Sequence, residues 1–197
     1  MISFAIYRLP DTDTCVKISS DSMPKRLSSY AELENKSGFV FAPFCLDYDS
    51  LLLISPDKIE VMKCEETQGV DEETKLDVSF DRDAYREDFE CFHSNLLDAS
   101  FDKLVLSRTI SVDSSIEKRA ISLFVKACKM YPHQFVSLVS TPESGTWLMS
   151  TPEVLLEKGS DTSKWHTMAL AGTMKTPGPW SEKNVKEQKY VSDYIRT

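Results

Sequence analysis

The chain has 197 residues, 41% of them hydrophobic and 10% aromatic, which is enough for a packed core and excludes disorder as its default state. Its 31 Asp and Glu outweigh 23 Lys and Arg, for a formal charge of −8 and a pI near 5.0. That balance argues against a nucleic-acid surface or a polybasic membrane patch, so an anionic ligand would have to find local cations, helix N-termini or a bridging metal.

Residues 1–80 read as strand-rich. Ile2–Leu9, Phe39–Cys45, Leu51–Ile54 and Lys58–Lys63 are short β-like runs, separated by punctuation such as DYDS and SPDK. Glu65–Lys75 reads as a charged loop. The period then changes from two to 3.6: in DRDAYREDFECFHSNLLDAS, Tyr85, Phe89, Phe92 and Leu96 share one helical face, with Asp81 as cap. KLVLSRTISV follows as a strand. A second helix starts at SSIE, where Ser114 and Glu117 form a capping box. It turns Ile116, Ala120, Leu123, Phe124 and Ala127 inward and stops before Tyr131-Pro132. QFVSLVST, TWLMST and EVLLEK read as neighbouring antiparallel strands, and KWHTMALAGT as another, ending in a small-residue corner. After the loop TPGPW, Ser181 caps a final helix, EKNVKEQKYVSDYI. The order helix, strand, helix, then several strands, with no regular βαβ alternation, predicts an α+β architecture.

No segment approaches the roughly 18 consecutive apolar residues of a membrane span, and MISFAIYRLPDTDT is too short an apolar run for a secretory signal. Cys15, Cys45, Cys64, Cys91 and Cys128 are scattered, without C-x-x-C, and read as reduced thiols of a cytoplasmic protein.

Four places carry residues that a plain strand or helix does not need. Lys103 stands at the entrance of the apolar run KLVL. It is either a strand-end lysine whose ammonium snorkels to water, or a lysine desolvated against a sheet and usable as a general base. Glu153, pinned after Pro152 and before Val-Leu-Leu, is either an exposed edge carboxylate or one held in apolar surroundings and able to donate a proton. Glu187 shares a helical face with Val191 and Tyr194. It is either an ion-pair partner of Lys183 and Lys186 or a carboxylate facing a cleft, which would suit Mg²⁺. In LAGT, Gly172 lets backbone N–H groups approach a ligand carboxylate and Thr173 adds a hydroxyl, although such a corner is also an ordinary turn. His93, His133 and His166 are isolated, and there is no Walker loop, no G-x-G-x-x-G and nothing resembling a nucleophile elbow.

Taken in order, DKLVLSR, TPEVLL, ALAGT and SEKNVKEQKYVSDYI resemble the chorismate-binding enzymes, which include isochorismate, anthranilate, aminodeoxychorismate and salicylate synthases. The resemblance runs from about Asp102 onward, and residues 1–100 resemble the family's variable leading half only loosely. It implies the antiparallel-sheet-rich fold of the family, with a strand-rich region at 1–80 and the first part of the catalytic domain at 81–197. A lysine at the position of Lys103 is typical of the water-adding and aminodeoxychorismate branches, and leucine before A-G-T resembles the isochorismate synthase version. The resemblance implies that Lys103 activates water for attack at C2 of chorismate, Glu153 protonates the departing C4 hydroxyl, Glu187 holds Mg²⁺, and Gly172 and Thr173 line the carboxylate pocket. It implies menaquinone biosynthesis as the use of the product, siderophore supply being the other known one.

The chain departs from the pattern in having Met149 and Thr151 where the family usually has glycine and serine before P-E. The family continues well beyond this last helix. Residues 1–197 are therefore expected to be an incomplete catalytic fold that buries its surface incompletely, associates with itself and is inactive or nearly so. The readings weighed against isochorismate synthase are aminodeoxychorismate synthase, salicylate synthase and a non-catalytic half-site that serves as an interaction fragment.

Overall fold

The computed structural model describes residues 1–64, 81–111, 119–158, 164–174 and 176–197. In chain order its strands are β1 (Ser3–Arg8), β2 (Thr14–Ser20), β3 (Lys25–Leu27), β4 (Phe39–Phe41), β5 (Leu51–Ile54), β6 (Lys58–Lys63), β7 (Phe135–Thr141), β8 (Gly145–Thr151), β9 (Glu157–Lys158) and β10 (Trp165–His166). The α-helices are α1 (Arg82–Leu97), α2 (Ala120–Met130) and α3 (Glu182–Arg196). These residues fall into two compact units, each drawn from separate stretches: 1–64 with 119–153, and 81–111 with 154–158, 164–174 and 176–197.

The first unit is built on a five-stranded antiparallel sheet in the order β6-β2-β1-β7-β8. Because successive side chains point to opposite faces of a strand, the register sorts β1 and β7 cleanly. Ile6, Val136 and Leu138 are buried on the face covered by Phe124 and Cys128 of α2. Ala5 and Val139 are buried on the other face, against Ile54, Phe39 and Phe41 of a second sheet ordered β3-β5-β4. β5 is the middle strand of that sheet, and all four of its residues, LLLI, are buried, as a continuous apolar run predicts for a strand covered on both sides. Gly38, just before β4, has φ +149°; a Cβ there would stand 2.3 Å from the Ile54 carbonyl oxygen, so only glycine fits. At the end of β1 the buried Arg8 guanidinium donates to the carbonyls of Tyr131 (2.6 Å), Pro132 (2.6 Å) and Gln134 (2.8 Å), fastening β1 to the α2–β7 connection.

Cys15 and Cys64 form a disulfide, with Cα atoms 5.3 Å apart, which corrects the expectation of five reduced thiols. The pairing of β2 with β6 opposes Cys15 to Met62 and sets Cys64 just beyond, its N–H bonded to the Asp13 carbonyl at 2.9 Å. Two cysteines 49 residues apart in sequence thereby come within disulfide reach.

In the second unit α1 forms as its periodicity predicts, with the Asp81 carboxylate accepting from the N–H groups of Asp83 and Ala84, both at 3.0 Å. Its apolar stripe stays open, with Tyr85 40% and Phe89 47% exposed. Ser181 caps α3 as expected, its hydroxyl accepting from the Asn184 N–H at 3.3 Å. Three strand expectations are corrected. Residues 103–111 have no ladder partner among the described residues and run irregularly. EVLLEK contributes only β9, which pairs with β10 and not with β8, and KWHTMALAGT contributes only β10. An apolar alternating sequence becomes a strand only where a neighbour supplies hydrogen bonds and cover. The charged loop expected at 65–75 and the capping box at Ser114 and Glu117 lie outside the described residues, so α2 is seen from Ala120 onward.

Helices and antiparallel sheets together make the α+β class that the order of elements predicts. Among the described residues no helix is long and apolar enough to cross a membrane.

Candidate active site

Helix α3 carries Glu187 and contacts both the Gly172 corner and Asp102, the residue before Lys103. Gln188 donates its side-chain N–H to the Ala169 carbonyl at 3.4 Å. Gly172 lies so close to Asn184 that a Cβ on the glycine would stand 2.9 Å from the Asn184 side-chain carbonyl carbon. The small-residue corner therefore rests on the row of α3 formed by Asn184 and Gln188, one turn apart. Elsewhere on the helix Tyr190 donates its hydroxyl to Asp102 at 3.4 Å, which holds the residue before Lys103 on the same helix. At 3.6 residues per turn, Glu187 falls on the surface between these two contacts. Its accessibility agrees, since Asn184, Glu187 and Val191 are half-buried on the three-and-four spacing of one face, while Tyr194 is 83% exposed.

Lys103 is half-buried and follows no strand. Its stretch is fastened at both ends, at Asp102 by Tyr190 and at Arg108 by α1. Arg108 donates to the Asp81 carbonyl at 3.1 Å, lies 3.6 Å from the Asp88 carboxylate and stacks over the Tyr85 ring at 5.5 Å. Glu187 makes no ion pair among the described residues. Lys186 turns instead to the Tyr190 ring, 5.5 Å from its centroid. The Tyr190 hydroxyl, above all, and the Asp102 carboxylate raise Lys186 above the ordinary lysine range. The ion-pair reading of Glu187 thus lacks its partner among the described residues.

Glu153 belongs to the first unit, two residues beyond β8, and is exposed. Its backbone N–H donates to the Thr151 hydroxyl at 3.1 Å. The threonine that stands where the resemblance expects a serine therefore keeps a hydroxyl in use, closing the turn that sets the carboxylate. The apolar surroundings expected of Glu153 are not formed around it by the described residues of its own unit. Thr173 is exposed beside Gly172.

A cleft of about 350 Å³ opens between the corner and α3, lined by Leu170, Gly172, Trp180, Asn184, Val185 and Gln188 among others. Gly172 is the only predicted site residue on its wall. Asn184, Gln188, Tyr190 and Trp180 were not singled out by the sequence. The signal for the first two was the i, i+4 spacing of two amides in NVKEQ, which places both on one side of a helix.

A metal is implied by the resemblance, and the donor set can be judged by its chemistry. Magnesium binds through one or two carboxylates completed by water and substrate oxygens. Glu187, half-buried and without an ion pair among the described residues, fits as one such ligand. Among the described residues, no further pair of carboxylates, histidines or cysteines gathers with it.

The family model described as chorismate binding enzyme matches residues 47–196, beginning well before Asp102 and spanning both units. No curated protein and no solved structure matches the chain.

Proposed function

Because the chain belongs to the chorismate binding enzyme family, we propose that it acts on chorismate as an isochorismate synthase, within menaquinone biosynthesis. The observation that supports this reading is that α3, which carries Glu187, contacts both Asp102, next to Lys103, and the Gly172 corner. Lys103 is the general base, taking a proton from water as its oxygen bonds to C2 of the ring. Glu153 is the general acid, giving a proton to the C4 hydroxyl as that C–O bond breaks. One water enters and one leaves, and the ring electrons shift between the two carbons, so the product is an isomer of the substrate. Gly172 offers backbone N–H groups to a substrate carboxylate at a position where a side chain would strike Asn184, and Thr173 adds a hydroxyl donor. Glu187 holds the Mg²⁺, which when bound supplies positive charge against a substrate carboxylate in an otherwise acidic protein.

The test is chromatography of chorismate incubated with the protein and Mg²⁺, with and without ammonium. The expected product is isochorismate, however slowly it forms, with no need for ammonium. An aminated product that requires ammonium, or salicylate with released pyruvate, would place the chain in another branch of the family. Failure to bind chorismate at all would point to a non-catalytic role. Lys103→Ala should lower the hydration rate by roughly 10²- to 10⁴-fold, the range for losing a general base, with an unchanged circular dichroism spectrum. Undiminished turnover would overturn the assignment of the base.

A further inference from the structure

The first unit contains a cluster of sulfur atoms that the proposed reaction does not use. Cys15 on β2, Cys64 just after β6 and Cys128 in the last turn of α2 are all buried, and their three Sγ atoms lie within 4.8 Å of one another. Two of them are bonded, Cys15 to Cys64, and Cys128 is a free thiol. A thiol this close to a disulfide is within reach of exchange, which proceeds by attack of a thiolate on a disulfide sulfur.

The surroundings of the cluster favour one direction of attack. A pocket of about 240 Å³ opens onto it, lined by Cys64 and Cys128 together with Arg8, Lys63, Lys129 and Asp13, while Cys15 does not reach its wall. The two cysteines of the cluster on the pocket wall are therefore Cys64 and Cys128. Arg8 is 2% exposed, and its Nη atoms are spent on the carbonyls of Tyr131, Pro132 and Gln134. Its Nε is buried too. Burial holds the Cys128 thiol above its ordinary value, and a hydrogen bond and the charge of Arg8 offset that only in part.

We propose that Cys15, Cys64 and Cys128 form a thiol–disulfide exchange site, in which Cys128 attacks the Cys64 sulfur from the pocket side and the bond moves from Cys15–Cys64 to Cys64–Cys128. The Cys128 thiol gives its proton to water in the pocket, and its sulfur bonds to the Cys64 sulfur. The Cys15–Cys64 bond breaks, and Cys15 leaves as a thiolate that takes up a proton. One disulfide and one thiol stand on each side of the step, so no oxidant or reductant is consumed. The bond that joined neighbouring strands then joins the sheet edge to α2. It also closes residues 65–127, which include Lys103, into a single covalent loop. The proposal is independent of the reaction on chorismate.

The test is disulfide mapping of the full chain equilibrated in a mixture of glutathione and its disulfide, quenched with acid, alkylated, digested and read by mass spectrometry. The expected map contains a Cys64–Cys128 peptide beside the Cys15–Cys64 peptide, above the level in a control denatured after quenching. Cys15→Ser should convert the population to the Cys64–Cys128 bond, and Cys128→Ser should retain only Cys15–Cys64. A wild-type map with Cys15–Cys64 alone overturns the proposal, whatever Cys15→Ser does, so the result does not depend on that variant folding. Uptake of Zn²⁺ by the reduced protein, with no Cys64–Cys128 peptide in the oxidised one, also overturns it, in favour of a three-thiolate metal site.

Discussion

Phe124 and Leu155 are both large apolar side chains, yet Phe124 is 0% exposed and Leu155 91%. The difference holds for the two units that contain them. In the first, the middle of the five-stranded sheet is covered on both faces, one by α2 and one by the β3-β5-β4 sheet, and buried residues from β1, β2, β5, β7 and α2 interlock. In the second, no described residue is buried. Its parts are joined by polar fastenings: Arg108 to α1, Tyr190 to Asp102 and Gln188 to the Ala169 carbonyl. Exposed polar contacts of this kind exchange with water and add less than the burial of a large apolar side chain. Four of the five predicted site residues, Lys103, Gly172, Thr173 and Glu187, belong to this second unit. Stability and the candidate chemistry are thus drawn from different parts of the chain, as the low local stability of many ligand-binding segments leads one to expect.

The contrast is broken most sharply at its extremes. Phe124→Ala should cost about 3–5 kcal/mol, the usual range for emptying a buried aromatic site, and lower the midpoint of denaturant unfolding accordingly. Leu155→Ala should stay within about 0.5 kcal/mol of wild type. Equal effects would mean that the two units share one core. Gly38→Ala comes next. A residue forced to keep φ near +149° costs about 1–3 kcal/mol, and the added methyl meets the Ile54 carbonyl oxygen. The same unfolding curves should therefore shift, with β4 the strand that loses amide protection. The smallest effect has the opposite sign. Ala99 follows α1 at φ 58°, the left-handed position that helices usually end with glycine. Ala99→Gly should stabilise α1 by about 1 kcal/mol, seen as slower hydrogen exchange at its last turn. Faster exchange there would mean that the left-handed end is not kept in solution.

How much of this was legible in the sequence follows the same division. β5 and β6 lie where their apolar runs begin and end, α1 and α3 start at the caps Asp81 and Ser181, and QFVSLVST pairs with TWLMST. Each is specified locally, by a turn, a cap or a period. β2 was missed because TCVKISS sets a lysine between Val16 and Ile18, and its identity as a strand comes from β1 and β6 on either side. The expected strand at Lys103 failed for the complementary reason. Its pattern is good, but no described neighbour pairs with it. The Cys15–Cys64 bond was invisible because register, which local sequence does not specify, brings the pair together. Among the candidate site residues, Glu187 and Gly172 were singled out by spacing and size. Asn184, which abuts Gly172, and Tyr190, which holds Asp102 beside Lys103, were not, since a helix amide and a helix tyrosine acquire a role only once the contacting segment is placed.

The most direct measurement of the account is hydrogen–deuterium exchange across the chain, with and without chorismate and Mg²⁺. Without ligand, the strands β1, β2 and β7 should exchange slowly and peptides of the second unit fast. With ligand, protection should rise at residues 101–111, 167–174 and 182–196, and at the turn carrying Glu153, while β1 and β2 stay unchanged. Protection confined to the first unit away from Glu153, or no change at α3 under conditions where chorismate binds, would contradict the placement of the site.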